Sequence, residues 1–240
     1  MIRAHLATFP PRRKIMLETV ACIIGQVDRL FIILNEYDEI PAELAGNGKI
    51  EALIPPGDTK DTGKFYFAPG DDDVVFTIDD DILYPADYVA HSLAEAEPLG
   101  LDRGVFGYQA NAWAYKKAES RYGWKNFMFF KELNKPHPVD VIGTGTACML
   151  GRNAPPFAAL AGSAGFVDIR FARWQQQQQN PCWVLPRPAE YLKRNLPEHL
   201  HASSLFNTVA RSNNPELNHE TRLLIEGAPR RGAPAKAGRT

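Results

Sequence analysis

Cysteine is scarce in this sequence, with three residues among 240 and no CxxC pair. Cys22, Cys148 and Cys182 are far apart and lie in apolar or proline-rich surroundings. This spacing excludes a disulfide-stapled scaffold and zinc sites built from paired cysteines. We therefore expect three reduced, structural side chains, as is usual for a cytoplasmic protein.

Long apolar runs and a strong charge of one sign are also missing. No segment approaches the length of a membrane-spanning helix, and the N-terminus lacks a signal-peptide pattern. The formal net charge of -1 gives no general reason to expect nucleic acid or an anionic membrane as a partner. We expect a cytoplasmic protein with no transmembrane segment, whose contact with the inner face of the membrane, if any, is peripheral.

Strand and helix patterns alternate along the chain. Apolar runs predict strands at 4–9, 29–34, 49–54, 74–78 and 143–150, and helical stripes comprise Leu17, Val20, Ala21 and Ile24, then Val89, Leu93 and Ala96 after Pro85. This order predicts an α/β fold with a mostly parallel central sheet flanked by helices. We expect one domain over 1–226 and a disordered basic tail over 227–240, where proline, glycine and isolated cations prevail.

The acidic triplet Asp79, Asp80 and Asp81 directly follows the apolar strand at 74–78. In an extended chain, Asp79 and Asp81 point to one side and Asp80 to the other. Paired carboxylates suit Mg²⁺ or Mn²⁺, whose coordination is commonly completed by substrate phosphates. The alternative is a solvated acidic turn, as we expect for the triplet at 71–73, which follows Pro69-Gly70.

Polar and charged residues follow the other predicted strands too. In open α/β sheets, ligands bind beyond the carboxyl ends of the strands, so these residues are expected to converge on one edge. Arg12, Arg13 and Lys64 are candidates to bind phosphates, and Asp58 to bind a base or ribose. The predicted ligand-binding set is Thr8, Pro10, Arg12, Arg13, Asn35, Asp58, Lys64 and Asp80; the alternative for each is a solvated surface residue.

The order of several motifs resembles that of GT-A glycosyltransferases. The motifs are ATFPPRR at 7–13, Gln26, LN at 34–35, GDTKDTGKF at 57–65 and TIDDDILYPADY at 77–88. Bacterial family 2-like enzymes of surface or capsular glycan synthesis are similar, most firmly over the first ninety residues. The resemblance implies a Rossmann-like GT-A fold with a nucleotide-sugar-binding half at about 1–100 and an acceptor-binding half at about 101–226.

The same resemblance implies the chemistry of the site. The donor would be a nucleotide-diphosphate sugar, with a UDP-sugar preferred, and the acceptor a glycan or a lipid-linked glycan. Asp79 and Asp81 match the family's metal-binding acids for Mn²⁺ or Mg²⁺, and Asp80 would lie near the ribose or donor sugar. His201, in an HxH pair with His199, is a further candidate metal ligand; the alternative is a surface histidine.

Transfer of a sugar also requires a base that takes the proton of the attacking hydroxyl. Asp168, in GFVDIRFARW, lies where similar transferases carry a catalytic acid, although Val167 stands where the family often has a second one. The alternative role for Asp168 is that of a helix N-cap. We also expect one or two of the aromatic residues between 113 and 130 to line the acceptor site.

The leading hypothesis is a metal-dependent glycosyltransferase that works with inversion. One alternative is a sugar nucleotidyltransferase, although ATFPPRR lacks the glycine-rich first loop usual for that class. Another is a catalytically degenerate GT-A domain that binds a sugar nucleotide or a partner.

Overall fold

A computed structural model describes residues 1–203 and 214–232 of the chain. Its strands are β1 (Ile2–Thr8), β2 (Arg29–Leu34), β3 (Ile50–Leu53), β4 (Val74–Ile78), β5 (Ile82–Leu83), β6 (Val105–Gly107), β7 (Ala110–Lys116), β8 (Arg121–Phe127), β9 (His137–Val139), β10 (Val141–Ile142), β11 (Thr146–Leu150), β12 (Cys182–Val184) and β13 (Lys193–Arg194). The α-helices are α1 (Arg13–Ile23), α2 (Tyr88–Ala96), α3 (Val167–Gln177) and α4 (Pro215–Gly227).

An eight-stranded sheet in the order β3-β2-β1-β4-β11-β6-β12-β9 forms the centre of the fold. Strands β3, β2, β1, β4, β6 and β12 run in one direction, while β11 and β9 run in the other. Strands β1, β2 and β4 end side by side, because Thr8 pairs with Leu34 and Leu6 pairs with Ile78. The mostly parallel α/β sheet predicted from the sequence is thereby confirmed.

Two apolar clusters cover the two faces of this sheet. Successive side chains of β4 alternate, so that Phe76 packs in the cluster containing α1 and α2, and Val75 packs in the cluster containing Phe171 of α3. A three-stranded sheet, β10-β7-β8, lies beside this core, and a two-stranded one pairs β13 with β5.

Helix α1 uses a different buried face from the one that the apolar spacing predicts. Its buried side chains are Ile15, Met16, Thr19, Val20 and Ile23. Of the predicted stripe, Val20 is buried, Leu17 and Ile24 are half-buried, and Ala21 is exposed. The buried face includes Thr19 because its hydroxyl lies 3.0 Å from the carbonyl oxygens of both Asp80 and Ile82.

The predicted tail from residue 227 does not begin as a detached segment. Ala228 is buried, and the backbone N–H of Tyr115 in β7 donates to the carbonyl oxygen of Arg231 at 2.9 Å. The Arg231 guanidinium also pairs with the buried carboxylate of Asp140 at 2.5 Å. The prediction of disorder is therefore wrong for Gly227, which ends α4, and for residues 228–232, where Ala228 is buried and Arg231 bonds to β7; residues 233–240 lie outside the described part of the chain.

Candidate functional site

A pocket of about 920 Å³ lies beyond the carboxyl ends of β1, β2 and β4. One part of its lining comes from the segments that follow these strands and from the loop after β3. The other part comes from β7, β8, β10 and the first turns of α3 and α4. The fold thus brings the first and second halves of the chain together around one cavity.

The acidic triplet spreads over one wall of this pocket. Asp79 accepts a hydrogen bond from Lys64 Nζ at 2.6 Å. The buried Asp80 accepts from Thr8 Oγ1 at 2.7 Å and from Arg12 Nη1 at 2.6 Å. Asp81 Oδ2 lies 3.2 Å from the same Arg12 nitrogen. Each acid therefore faces a basic side chain, and Asp80 is directed toward β1 while Asp79 faces the loop after β3.

The backbone of the triplet is fixed from behind by Tyr84. Its buried hydroxyl accepts from the N–H of Asp79 at 2.9 Å and donates to the carbonyl oxygen of Gly145 at 2.6 Å. Gly145 itself lies so close that a Cβ atom there would be 2.0 Å from Asp79 Oδ2. The position of the Asp79 carboxylate therefore depends on a residue without a side chain at 145.

A hydrogen-bonded chain joins the triplet to the opposite wall. Lys64 Nζ, which bonds to Asp79, lies 3.0 Å from Thr144 Oγ1. The Thr144 hydroxyl donates to Asp168 Oδ1 at 2.7 Å, and the Thr144 N–H donates to the same oxygen at 2.8 Å. Asp168 Oδ2 has no hydrogen-bond partner among the described residues. One oxygen of Asp168 thus orients the side chain, and the other is available to a ligand.

Asp168 is not the N-cap of α3. The N-cap is Phe166, and Asp168 lies inside the first turn with its carboxylate bonded to Thr144. The N-cap interpretation is therefore wrong. The Asp168 carboxylate accepts its hydrogen bonds from Thr144, in the loop before β11, and not from N–H groups of its own helix.

The lining of the pocket carries an excess of negative charge. Seven acidic residues and three basic ones line it: Glu36, Asp58, Asp61, Asp79, Asp80, Asp81 and Asp168 against Arg12, Lys60 and Lys64. Burial, followed by the charges of Asp79 and Asp80, raises the pKa of Asp81 to about 7. Burial also raises the pKa of Asp61 and that of Asp168. The net negative charge of the lining therefore disfavours an anionic ligand that brings no cation with it.

Asp79 and Asp81 have the chemistry that a hard divalent cation requires. Both reach the pocket, with 40% and 23% of their side chains exposed. Burial, and after it the charges of Asp79 and Asp80, raises the pKa of Asp81, and a bound cation would offset the repulsion among these carboxylates. In residues 1–203 and 214–232, no group of three or more His, Cys, Asp and Glu side chains is arranged around a metal position. The pair fits an ion whose remaining ligands are phosphate and water.

Most of the residues predicted for the site line this one pocket. They are Thr8, Arg12, Asn35, Asp58, Lys64, Asp79, Asp80, Asp81 and Asp168. Asn35 orients the loop after β3, since its side chain bonds to the N–H of Thr59 and to the carbonyl oxygen of Lys60. Of the two adjacent arginines, Arg12 is the one that faces the triplet.

Three predicted residues are not in the lining of this pocket. Pro10 and Arg13 border a separate depression, where Arg13 pairs with Glu43 at 2.5 Å. His201 is exposed, with Nε2 lying 3.2 Å from the carbonyl oxygen of Leu196. Arg13 and Arg12 differ because the short 3-10 turn at Pro10–Arg12 leads into α1 and directs adjacent side chains to different sides.

Several pocket residues were not predicted from the sequence. Asp61 accepts from the N–H of Gly165 at 2.7 Å and so joins the two walls. Thr144 links Lys64 to Asp168. Both lie in motifs that stand out in the sequence, GDTKDTGKF and GTGTACML, but only the tertiary structure assigns them partners. Residues Leu217, Asn218 and Thr221 of α4 carry no sequence signal for a site.

No protein-family model and no curated protein matches this sequence. Solved structures do match the fold. The mannosyltransferase PcManGT from Pyrobaculum calidifontis, in complex with GDP-Man and Mn²⁺, superposes with a TM-score of 0.50 at 12% identity, over 93% of this chain and 69% of that one. S. aureus TarS, in complex with UDP-GlcNAc, gives 0.51 at 10% identity, over 94% and 71%.

A third structure, 4-diphosphocytidyl-2C-methyl-D-erythritol synthase, has 13% identity over 93% of this chain and 98% of that one. Its TM-score of 0.46 is too low to support an argument about the fold. At such identities, the first two similarities establish a GT-A-like fold and no more. In the described part of the chain, none of the helices is both long and apolar enough to cross a membrane.

Proposed function

We propose that this protein is a metal-dependent glycosyltransferase that moves a sugar from a nucleotide-diphosphate donor to a hydroxyl of a glycan or lipid-linked glycan, with inversion. The observation that carries the proposal is the chain of side chains from Asp79 through Lys64 and Thr144 to Asp168. It joins a carboxylate suited to a cation with a carboxylate suited to a base in a single pocket. The mannosyltransferase with the similar fold contains Mn²⁺ and GDP-Man, which supports the choice of cofactor and donor class.

The donor is proposed to occupy the part of the pocket formed by residues 1–100. Asp79 and Asp81 would hold Mn²⁺ or Mg²⁺, which when bound neutralises charge on the departing nucleotide diphosphate. Arg12 pairs with Asp80 and Asp81 and lines the pocket, with 12% of its side chain exposed. This cation at the pocket surface supports a contact between Arg12 and a phosphate. Asp80 would reach the donor indirectly, by orienting Arg12.

Asp168 is proposed to be the catalytic base in the part of the pocket formed by residues 101–226. Its Oδ2 would take the proton as the acceptor oxygen bonds to the anomeric carbon and the bond from that carbon to the diphosphate oxygen breaks. Burial raises the pKa of Asp168 and so brings the carboxylate closer in basicity to the working pH. Lys64 is bonded to Asp79 and Thr144, so its proposed role is to orient these groups.

The test is calorimetry with UDP and GDP sugars in the presence and absence of Mn²⁺, together with product analysis. We expect binding that requires the metal, slow release of sugar to water, and transfer to an acceptor. Pyrophosphate release from a sugar phosphate and a nucleoside triphosphate would instead indicate a nucleotidyltransferase. Binding of the sugar nucleotide without any turnover would indicate a degenerate domain.

Asp168→Asn gives the sharper test of the base. Asparagine retains an oxygen that can accept both bonds from Thr144, so donor binding is expected to stay unchanged. Turnover is expected to fall about a hundredfold or more, as for loss of a general base. Unchanged turnover in this variant would contradict the proposed role. The double variant Asp79→Asn/Asp81→Asn is expected to lose metal-dependent nucleotide binding, which distinguishes the role of the metal pair from that of the base.

A further inference from the structure

The two parts of the pocket differ sharply in charge. Nine of the ten ionisable lining residues named above lie at or before residue 81. Beyond residue 100, Asp168 is the one ionisable lining side chain in the described part of the chain. Around it the lining is aromatic, aliphatic, amide or hydroxyl. A ligand group that contacts this second part therefore meets a neutral surface next to one carboxylate.

The neutral surface includes a rung of the β7–β8 hairpin. Asn111 and Asn126 pair across the two strands, and Asn111 Nδ2 donates to Asn126 Oδ1 at 2.7 Å. Trp124 is two residues from Asn126 on the same strand, so its side chain lies on the same face. The pairing leaves Asn111 Oδ1 and Asn126 Nδ2 to accept from and donate to a ligand, beside the apolar ring of Trp124.

Helix α4 supplies the facing wall with Leu217, Asn218 and Thr221. The helix is fixed against α3, since Arg170 pairs with Glu216 at 2.6 Å and Gln176 Nε2 donates to the carbonyl oxygen of Leu224 at 3.1 Å. Its N-cap, Asn214, accepts from the N–H groups of Glu216 and Leu217. The subsite thus lies between the β7–β8 hairpin and α4, and each of these elements contributes side-chain amides to the lining.

We propose that this surface binds the acceptor, and that the acceptor residue is an uncharged sugar. The assignment rests on the proposed function. Amides and hydroxyls recognise sugar hydroxyls, while an indole ring matches the C–H face of a sugar. A phosphate or carboxylate on the acceptor would enter beside Asp168 and the acidic first part of the pocket, and no cation of the described lining stands beyond residue 100 to receive it.

The test uses matched pairs of acceptors that differ in one charge. Methyl glucoside is compared with methyl glucuronide, methyl galactoside with methyl galacturonide, and methyl mannoside with its 6-phosphate, each with donor and Mn²⁺. We expect the neutral member of at least one pair to accept sugar with a kcat/KM at least about tenfold above that of its charged partner. Preference for the charged members, or no transfer to any member while the donor is hydrolysed, would overturn the proposal.

Asn126→Ala tests whether the β7–β8 hairpin contacts the acceptor. We expect the KM for the neutral acceptor to rise about fivefold, as for loss of one hydrogen bond, while donor hydrolysis and Mn²⁺-dependent nucleotide binding stay unchanged. Lys125→Ala is the matched control, because this adjacent exposed residue lies on the opposite face of β8, with its ammonium over the Phe127 ring. Equal KM values for the neutral acceptor in Asn126→Ala and Lys125→Ala would contradict the assignment of this subsite. Absence of metal-dependent nucleotide binding in the unmodified protein would instead refute the proposed function.

Discussion

Gly145 determines where the Asp79 carboxylate can lie. It belongs to the loop before β11, where a Cβ atom would stand 2.0 Å from Asp79 Oδ2. We expect Gly145→Ala to displace this carboxylate and to weaken Mn²⁺-dependent nucleotide binding about 10- to 100-fold, as for the loss of a residue that orients a metal ligand. Calorimetry measures the effect.

Gly48→Ala is a matched control for this change. A Cβ atom at Gly48 meets nothing within 4 Å, so the nucleotide affinity of that variant is expected to match that of the unmodified protein. If Gly145→Ala bound metal and nucleotide equally well, Asp79 could not be a ligand in the position described.

His5 couples stability to pH. The buried ring lies between Arg3 Nε, which donates to His5 Nε2 at 2.8 Å, and the carbonyl oxygen of Lys64, 2.9 Å from Nδ1. Burial, followed by the charge of Arg3, lowers the pKa of His5 to about 3. The folded protein therefore binds fewer protons at this residue than the unfolded chain as pH falls from about 6.5 toward 3, so stability is lost in that window.

We expect the free energy of unfolding, measured with denaturant between pH 7 and 4, to fall less steeply in His5→Gln than in the unmodified protein. Parallel curves for His5→Gln and the unmodified protein would mean that His5 does not remain neutral in the fold.

At the scale of elements, Arg231 holds the segment after α4 by a backbone hydrogen bond to Tyr115 of β7 and by an ion pair with Asp140, which lies between β9 and β10. Asp140, which is 5% exposed, accepts from the N–H of Trp113 and from Arg231. Arg231→Met would leave this carboxylate without its countercharge. We expect a loss of about 2 kcal/mol in the free energy of unfolding and faster amide hydrogen exchange in α4.

Arg230→Met provides the comparison for this prediction. The Arg230 guanidinium lies over the Tyr122 ring at 5.1 Å from its centroid, a contact worth about 0.5–1 kcal/mol. An equal or larger effect of Arg230→Met would show that the cation–π contact, and not the Asp140 pair, secures the segment.

At the scale of the whole molecule, the proposed metal pair predicts that a nucleotide stabilises the fold only together with a cation. With Mn²⁺ and UDP both present at 100 times the dissociation constant, the expected gain is about 2.7 kcal/mol, or roughly 5–11 °C in Tm for a domain of this size. UDP with a chelator is expected to give almost none. An equal rise without metal, or a full rise in Asp79→Asn/Asp81→Asn, would contradict the assignment of the metal pair.

Sequence patterns predicted the bounds of strands well where the strand is buried along nearly its whole length. The bounds of β2 and β4 agree with the predicted 29–34 and 74–78, because both are apolar runs buried on two faces. The stripe of α1 failed because two overlapping apolar spacings exist, and the buried one includes a threonine whose hydroxyl bonds to the Asp80 loop.

Apart from Asp168, which the resemblance to glycosyltransferases implied, the site was predicted only to the level of the strand ends. The rule that ligands bind beyond the carboxyl ends of parallel strands brought Thr8, Asn35 and Asp79 together. It could not select Arg12 over Arg13, because side-chain direction in a short turn depends on backbone angles. Thr144 and Asp61 gain their roles from contacts across about 80 and 104 residues of sequence, which no local pattern contains.

The order of strands in the central sheet places β3 and β9 at its two ends in the described part of the chain. Free edges of sheets invite pairing between molecules, and both edges here are poor templates for it. Strand β3 has four residues with the exposed Glu51 among them, and β9 has three with Pro138, which offers no N–H, at its centre. The charge of Glu51 at one edge and the missing N–H of Pro138 at the other therefore protect the sheet that supports the pocket against edge-to-edge aggregation.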